Sequence, residues 1–147
     1  MKSKLLYLSQ CFPIPTDGGG TIKTFNTIKT LSKKFDIYAI FISERAANMI
    51  QKHYFSKLGV KVKVFKTHTM IESVKSNYWR LIWNYLQLRP HFVYQYRYIP
   101  GIKYIKKLIK KWRPDIIHVD HINSSQFLPS HFWLRKNLGY IPKLVLE

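Results

Sequence analysis

The chain has 147 residues, of which 46% are hydrophobic and 16% aromatic, so its composition excludes a disordered chain and suits one folded domain. Twenty-five Lys and Arg face seven Asp and Glu, giving a net charge of +18. That excess indicates a polyanionic partner, nucleic acid or an anionic membrane surface, unless the charges only decorate solvated faces in a lysine-rich proteome.

Short apolar runs and apolar residues at helical spacing alternate along the chain. The first run, residues 5–8, is too short for a signal-peptide core and is interpreted as part of a buried strand. Strands are predicted at residues 5–9, 36–43, 60–65, 115–120 and from 144 onward. Helices are predicted at residues 21–34, 46–58, 71–88, 102–112 and 124–134, the last interrupted near Pro129. Residues 92–98 are predicted to be extended.

This alternation predicts an α/β fold, a Rossmann-like parallel sheet flanked by helices. The most apolar runs should lie at its centre, at residues 5–9, 36–43 and 115–119. The strictly alternating run at residues 60–65 has one polar face and belongs near an edge. No apolar run reaches the roughly 18 residues that span a bilayer. The single cysteine, Cys11, excludes an internal disulfide and fits a reducing compartment.

Half of the six glycines, Gly18, Gly19 and Gly20, follow Asp17 between the first strand and the first helix. Open α/β sheets bind ligands at the carboxyl ends of their strands, and the free N–H groups of the next helix point there. The glycines therefore form either a cradle for a phosphate or a sugar, or a tight turn that requires glycine for its backbone geometry. The dinucleotide fingerprint is excluded because Lys23 stands where it needs glycine, and the P-loop because Gly-Lys-Ser/Thr is absent.

A second polar group, His118, Asp120 and His121, follows the fourth strand. A metal site needs three or four convergent ligands and finds only a partial set, so we expect no metal. Alternatively, Asp120 or His121 orients or deprotonates a substrate hydroxyl. A structural interpretation makes His118 a core histidine and Asp120 a helix cap. Regular strand alternation would place His118 and Asp120 on one face of the sheet and His121 on the other.

Residues 76–112 combine three of the four tryptophans with many basic residues. Such a mixture either stacks on single-stranded nucleic acid or seats a protein in lipid headgroups. Because no nucleic-acid motif is present, we favour an anionic membrane surface and expect no nucleic acid. The predicted helix at 102–112 carries isoleucines on one face, and its other face carries Lys103, Lys106, Lys107, Lys110 and Lys111.

Three segments matter for their order and spacing along the chain. They are residues 13–20 (PIPTDGGG) after a strand, residues 89–93 (RPHFV), and residues 113–121 (RPDIIHVDH). Together they resemble the N-terminal, acceptor-side domain of family 4 retaining glycosyltransferases, which have the GT-B fold. The resemblance covers essentially the whole chain. It implies that residues 1–147 form the Rossmann-like domain and that the C-terminal, donor-binding domain is absent.

The resemblance also implies a function, of the hexosyltransferase class. Such enzymes transfer a sugar from a nucleotide-sugar donor to a lipid-linked or polysaccharide acceptor, with no cofactor and no required metal. Asp17 and Gly18 to Gly20 would face the donor sugar and diphosphate, and Asp120 and His121 would serve as the catalytic, acceptor-side residues. The chain alone would be inactive, and would work with its second domain in cis or a partner chain in trans. Its expected location is the cytoplasm, peripheral at the inner face of the membrane.

Two other interpretations remain open. The chain could be a separate binding subunit that pairs with a donor-binding chain, or a basic nucleic-acid-binding α/β domain. Residues 143–147 (KLVLE) end within a strand pattern, so we expect either a truncated enzyme or one half of a two-chain enzyme. A reading frame that continues past Glu147 would indicate truncation.

Overall fold

The structure, a computed structural model, describes residues 2–43, 49–66 and 98–147. Within these ranges five strands form one sheet in the order β3-β2-β1-β4-β5, and every neighbouring pair is parallel. The strands are β1 (Lys4–Ser9), β2 (Asp36–Ser43), β3 (Lys61–Lys66), β4 (Ile116–Asp120) and β5 (Lys143–Leu146). The predicted Rossmann-like parallel sheet is confirmed, with the three most apolar strands at its centre and the alternating strand β3 at an edge.

The helices in these ranges are α1 (Gly19–Leu31), α2 (Met49–Lys57), α3 (Ile99–Trp112), a 3-10 helix (Ile122–Phe127) and α4 (His131–Leu138). Helix α1 begins two residues earlier than predicted, so two of the three glycines lie in its first turn. The predicted interruption of the helix at 124–134 near Pro129 is confirmed, because two helices occupy this region. They separate at residues 128–130, where Ser130 caps α4 by accepting a hydrogen bond from the Trp133 N–H at 3.3 Å.

Several predictions fall outside the described residues. These are the helix at 71–88, nearly all of the extended segment at 92–98, the beginning of the helix at 46–58, and the motif at 89–93. The basic, aromatic stretch at 76–112 is described only from residue 98 onward.

Helices cover both faces of the sheet because alternate strand residues point to opposite sides. On one face, Ile105 and Ile109 of α3 pack with Leu6, Val119 and Leu134. On the other face, Ile28 of α1 and Phe55 of α2 pack with β1 and β2. The predicted apolar face of α3 is therefore core. Its lysine face is turned to solvent, with Lys106 half-buried and the other four lysines exposed.

Strand order determines where a ligand could bind. From β1 the chain proceeds to β2 on one side, whereas β4 lies on the other side. The switch point is thus between the carboxyl ends of β1 and β4, where Ser9 and Asp120 are register partners. Sheets of this kind bind their ligands in the crevice at that point.

Candidate functional site

The N-terminus of α1 opens onto the switch point. Its N-cap is Gly18, which is extended at φ −153° and ψ 163°. Thr21 closes the first turn, because its hydroxyl accepts from the Gly18 N–H at 3.0 Å and donates to the Gly18 carbonyl at 2.7 Å. Within the described ranges, the glycines with positive φ are Gly59 and Gly139, not those of this segment. The tight-turn interpretation, which required glycine for its backbone geometry, is therefore wrong.

Packing does not require glycine at this end of α1 either. A Cβ built on Gly19 meets no atom within 4 Å, and one built on Gly20 would first meet Nε2 of His121 at 4.0 Å. Glycine near the start of a helix still costs up to about 1 kcal/mol relative to alanine. The N-cap is also a glycine, so the N-cap residue itself has no side chain to accept from the first N–H groups of α1. The glycines leave open space in front of N–H donors that suit an anion.

Asp120, at the end of β4, is fully buried at 0% exposure. Its Oδ2 accepts hydrogen bonds from the hydroxyls of Ser9, at 3.1 Å, and Thr24, at 2.6 Å. Its Oδ1 has no hydrogen-bond partner among the described residues, although Lys23 Nζ and His121 Nε2 each lie 3.7 Å away. Asp120 is not a helix cap, since the N-cap of the 3-10 helix is His121. A buried carboxylate oxygen is therefore left to accept a further hydrogen bond.

His121 leaves the strand geometry. Its φ of 68° and ψ of 135° end β4, and its N–H donates to the Glu147 carbonyl at 3.0 Å. Regular alternation would have placed His121 on the opposite side of the sheet from Asp120, but the strand does not continue regularly through residue 121. Its ring lies beside Asp120 and Gly20, and its side chain is 39% exposed. A non-glycine residue in this backbone region is strained, by about 1–3 kcal/mol.

Lys23 and Glu147 link the remaining polar groups. Lys23 Nζ lies 3.1 Å from Glu147 Oε1, and Glu147 Oε2 lies 3.1 Å from His118 Nε2. The hydrogen bond to Glu147 raises the pKa of Lys23 above its ordinary value. His118 is 8% exposed and stacks on Tyr7 with ring centroids 4.8 Å apart, as expected of a core histidine.

Tyr7 lies beneath this polar group, on the side of the sheet that α1 covers. Its hydroxyl is buried and forms no hydrogen bond of acceptable geometry with a described residue. Burial, followed by the negative charge of Asp120, raises the pKa of Tyr7 well above its usual range. Tyr7 is therefore a neutral neighbour of Asp120.

We call this arrangement the switch-point crevice, defined by Ser9, Gly18, Gly19, Gly20, Lys23, Thr24, Asp120, His121 and Glu147. The structure brings Gly20, Asp120 and His121 together here, whereas Asp17 is exposed just before the N-cap. Ser9, Thr24 and Glu147 were not predicted as site residues. The spacing of Thr24 could have indicated it, since Thr24 lies three residues after Thr21 and four before Ile28, and these three are the buried residues of α1.

The crevice combines N–H donors, one ammonium group, one imidazole and two carboxylates. In the part of the chain that the structure describes, no group of three His, Cys, Asp or Glu side chains could hold a metal ion. The helices within the same ranges include none long and apolar enough to cross a bilayer. Comparison of the chain with protein-family models, with curated proteins and with solved structures gave no significant match.

Proposed function

We propose that the chain is the acceptor-side domain of a retaining glycosyltransferase of the GT-B fold. In this proposal a sugar passes from a nucleotide-sugar donor to a lipid-linked or glycan acceptor. The main support for the proposal is one arrangement at the switch point of the parallel sheet. There the N-terminus of α1, formed by glycines, lies beside the buried Asp120 carboxylate. The proposal also rests on the resemblance of residues 13–20 and 113–121 to that family.

Two kinds of ligand group fit the two sides of the crevice. The N–H groups at Gly19 and Gly20 suit a diphosphate, because they are donors at the positive end of a helix dipole. The carboxylate of Glu147, whose side chain is 39% exposed, suits sugar hydroxyls, because it accepts hydrogen bonds. Lys23 contacts the carboxylates of Asp120 and Glu147, which limits the repulsion that they would exert on a phosphate.

On the acceptor side we assign the substrate contact to His121 and a positioning role to Asp120. The side chain of His121 is 39% exposed, whereas that of Asp120 is inaccessible. The 3.7 Å from His121 Nε2 to Asp120 Oδ1 is too long for a hydrogen bond. In this assignment His121 accepts the proton of the attacking acceptor hydroxyl, and Asp120 stabilises the imidazolium that forms.

The proposal requires a second domain that binds the nucleotide sugar, supplied in cis or by a partner chain in trans. We further propose that the protein works peripherally at the cytoplasmic face of a membrane, where lipid-linked acceptors are found. The exposed lysines of α3 support this location, because anionic headgroups attract a cluster of cations.

The proposal is tested in the organism that makes the chain. Membranes are incubated with radiolabelled nucleotide sugars, and label is measured in lipid-extractable and polymeric products. Deleting the gene should abolish incorporation of one sugar, and restoring the gene should recover it. The purified 147-residue chain alone should not release nucleotide from any donor. Incorporation that is unchanged by deletion for every sugar would contradict the proposal.

We expect Gly19→Val to reduce transfer by about 100-fold, because a branched side chain would occupy the space that the donor needs. The free energy of unfolding should change by less than about 1 kcal/mol, since Gly19 has helical geometry and no atom lies near its Cβ position. Transfer is measured as label incorporation in membranes of cells that carry the variant gene, and urea unfolding is measured on the purified variant chain.

The matched control is Gly59→Val, at a position with φ +71°. It should lower stability by about 1–3 kcal/mol through backbone strain and leave transfer per folded molecule intact. Near-normal transfer by Gly19→Val would mean that no donor approaches this end of α1.

We expect replacement of Lys103, Lys106, Lys107, Lys110 and Lys111 by Gln to weaken binding to phosphatidylserine vesicles by at least about 1000-fold, since each charge contributes about 1 kcal/mol at such a surface. Circular dichroism should remain unchanged because these side chains lie outside the core. The control variant neutralises five exposed lysines elsewhere: Lys2, Lys29, Lys33, Lys34 and Lys57. Equal losses in the two variants would indicate a charge effect without a defined face.

A further inference from the structure

Helices α3 and α4 contribute to the same core cluster on one face of the sheet. Ile105 and Ile109 of α3 belong to the same buried cluster as Leu134 and Leu138 of α4. Neither helix contains an aspartate or a glutamate. Their cations number seven: Lys103, Lys106, Lys107, Lys110, Lys111, Arg135 and Lys136. We call this surface the α3–α4 face.

Two consecutive aromatic residues, Phe132 and Trp133, lie in α4. Trp133 lies between the helices, with the ammonium groups of Lys106 and Lys110 each 5.5 Å from the centroid of its ring. Phe132 instead points outward and is 78% exposed. Arg135 and Lys136 follow Phe132 by three and four residues, so they share its side of α4.

Phe132 is held in place rather than carried on a loop. It is the second residue of α4, whose N-terminus is capped by Ser130. Leu134 and Leu138 anchor the opposite side of the helix in the core. The ring is therefore displayed at a fixed position, with cations one turn away and on the neighbouring helix.

We propose that the α3–α4 face docks on an anionic lipid bilayer and that Phe132 enters the bilayer between the headgroups. An exposed aromatic ring with cations one turn away on its own helix matches the boundary between lipid phosphates and acyl chains. A nucleic-acid site would instead stack bases on aromatic faces along a basic groove, whereas Phe132 projects from the outer side of a helix. The inference takes its partner from the proposed membrane association and does not depend on sugar transfer.

The decisive experiment places an environment-sensitive fluorophore on Phe132→Cys in a Cys11→Ser background, using the full 147-residue chain. Vesicles are made of phosphatidylcholine with or without phosphatidylserine. With phosphatidylserine, the emission should shift to shorter wavelength and be quenched by labels on the lipid chains. The control carries the same fluorophore on Ile22→Cys, a residue of α1 that is 46% exposed on the opposite face of the sheet. Its emission should not change.

A second variant needs no label. Phe132→Ala should reduce partitioning into phosphatidylserine vesicles by about tenfold, the loss of one aromatic side chain from an interface. Ile22→Ala should partition like the wild type. Both substitutions remove exposed side chains, so the fold should persist in each.

Three results would overturn the inference. The chain could bind the vesicles while the label on residue 132 stays in water, which would leave electrostatic docking without insertion. The label could respond to single-stranded oligonucleotides and not to vesicles, which would identify nucleic acid as the partner. The chain could also ignore anionic vesicles altogether, which would remove the membrane association as well. None of these readouts depends on transferase activity, so a failure of the transferase proposal would be seen separately.

Discussion

We expect His121→Gly to raise the free energy of unfolding by about 1–2 kcal/mol and to lower sugar transfer by at least about 100-fold. His121 holds φ 68° and ψ 135°, a region that glycine enters without a Cβ clash. The same substitution removes the imidazole assigned to the acceptor hydroxyl, and a general base contributes about 10²–10⁴ in rate. Stability is measured by urea unfolding, and transfer by label incorporation.

Such opposite effects on stability and rate would identify His121 as a strained residue kept for function. The control is His131→Ala, at the exposed start of α4, which should change neither quantity appreciably. Lower stability together with retained transfer would show instead that the His121 ring only packs against its neighbours. The assignment of the acceptor contact would then be wrong.

The largest loss of stability should come from Asp120→Ala, at about 3 kcal/mol. The carboxylate is buried and accepts from the hydroxyls of Ser9 and Thr24. Its removal takes away the acceptor of the buried Thr24 hydroxyl, leaves Ser9 the longer contact to the Cys11 carbonyl at 3.4 Å, and opens a cavity. Asp120→Asn keeps the shape and one oxygen, and should cost about 1 kcal/mol. Urea unfolding of the purified chain measures both variants.

A double-mutant cycle separates the hydrogen bond from the cavity. Thr24→Val removes the donor of the 2.6 Å bond to Asp120, so its cost should shrink when Asp120 is already alanine. Strictly additive losses would mean that this bond contributes nothing to stability. A gain in stability from Asp120→Ala would show that the buried charge costs more than its two hydrogen bonds return.

The sheet could be predicted from the sequence because each central strand is a short, nearly continuous apolar run, as burial on both faces requires. The location of the crevice followed from the same pattern, since the glycines and Asp120 both come directly after such runs. The sequence could not show which side chains form hydrogen bonds with each other across the crevice. The hydrogen bonds from Ser9 and Thr24 to Asp120 span 111 and 96 residues, and no local pattern signals contacts of that range.

Two differences between the sequence patterns and the structure have local physical causes. Glycine is a poor helix former, so helical spacing indicated that α1 starts at Thr21, whereas the N-terminal turn includes Gly19 and Gly20. His121 does not take the side that regular alternation would give it, because alternation holds only while a strand is regular. A positive φ at a histidine cannot be read from residue types, and here it ends β4 one residue earlier than alternation assumed.

The most direct test of the switch-point crevice uses the glycine amide signals of the chain itself. The chain has six glycines, three in the crevice and three elsewhere, Gly59, Gly101 and Gly139, which serve as internal controls. Millimolar UDP- and GDP-sugars are titrated into the isotope-labelled chain, with inorganic pyrophosphate in parallel to separate a diphosphate contact from a sugar contact. We expect the amide resonances of Gly18, Gly19 and Gly20 to move in two-dimensional NMR spectra while the three control glycines stay in place. Unmoved resonances at all six glycines with every nucleotide sugar, or equal movement at all six, would contradict a ligand site at the N-terminus of α1.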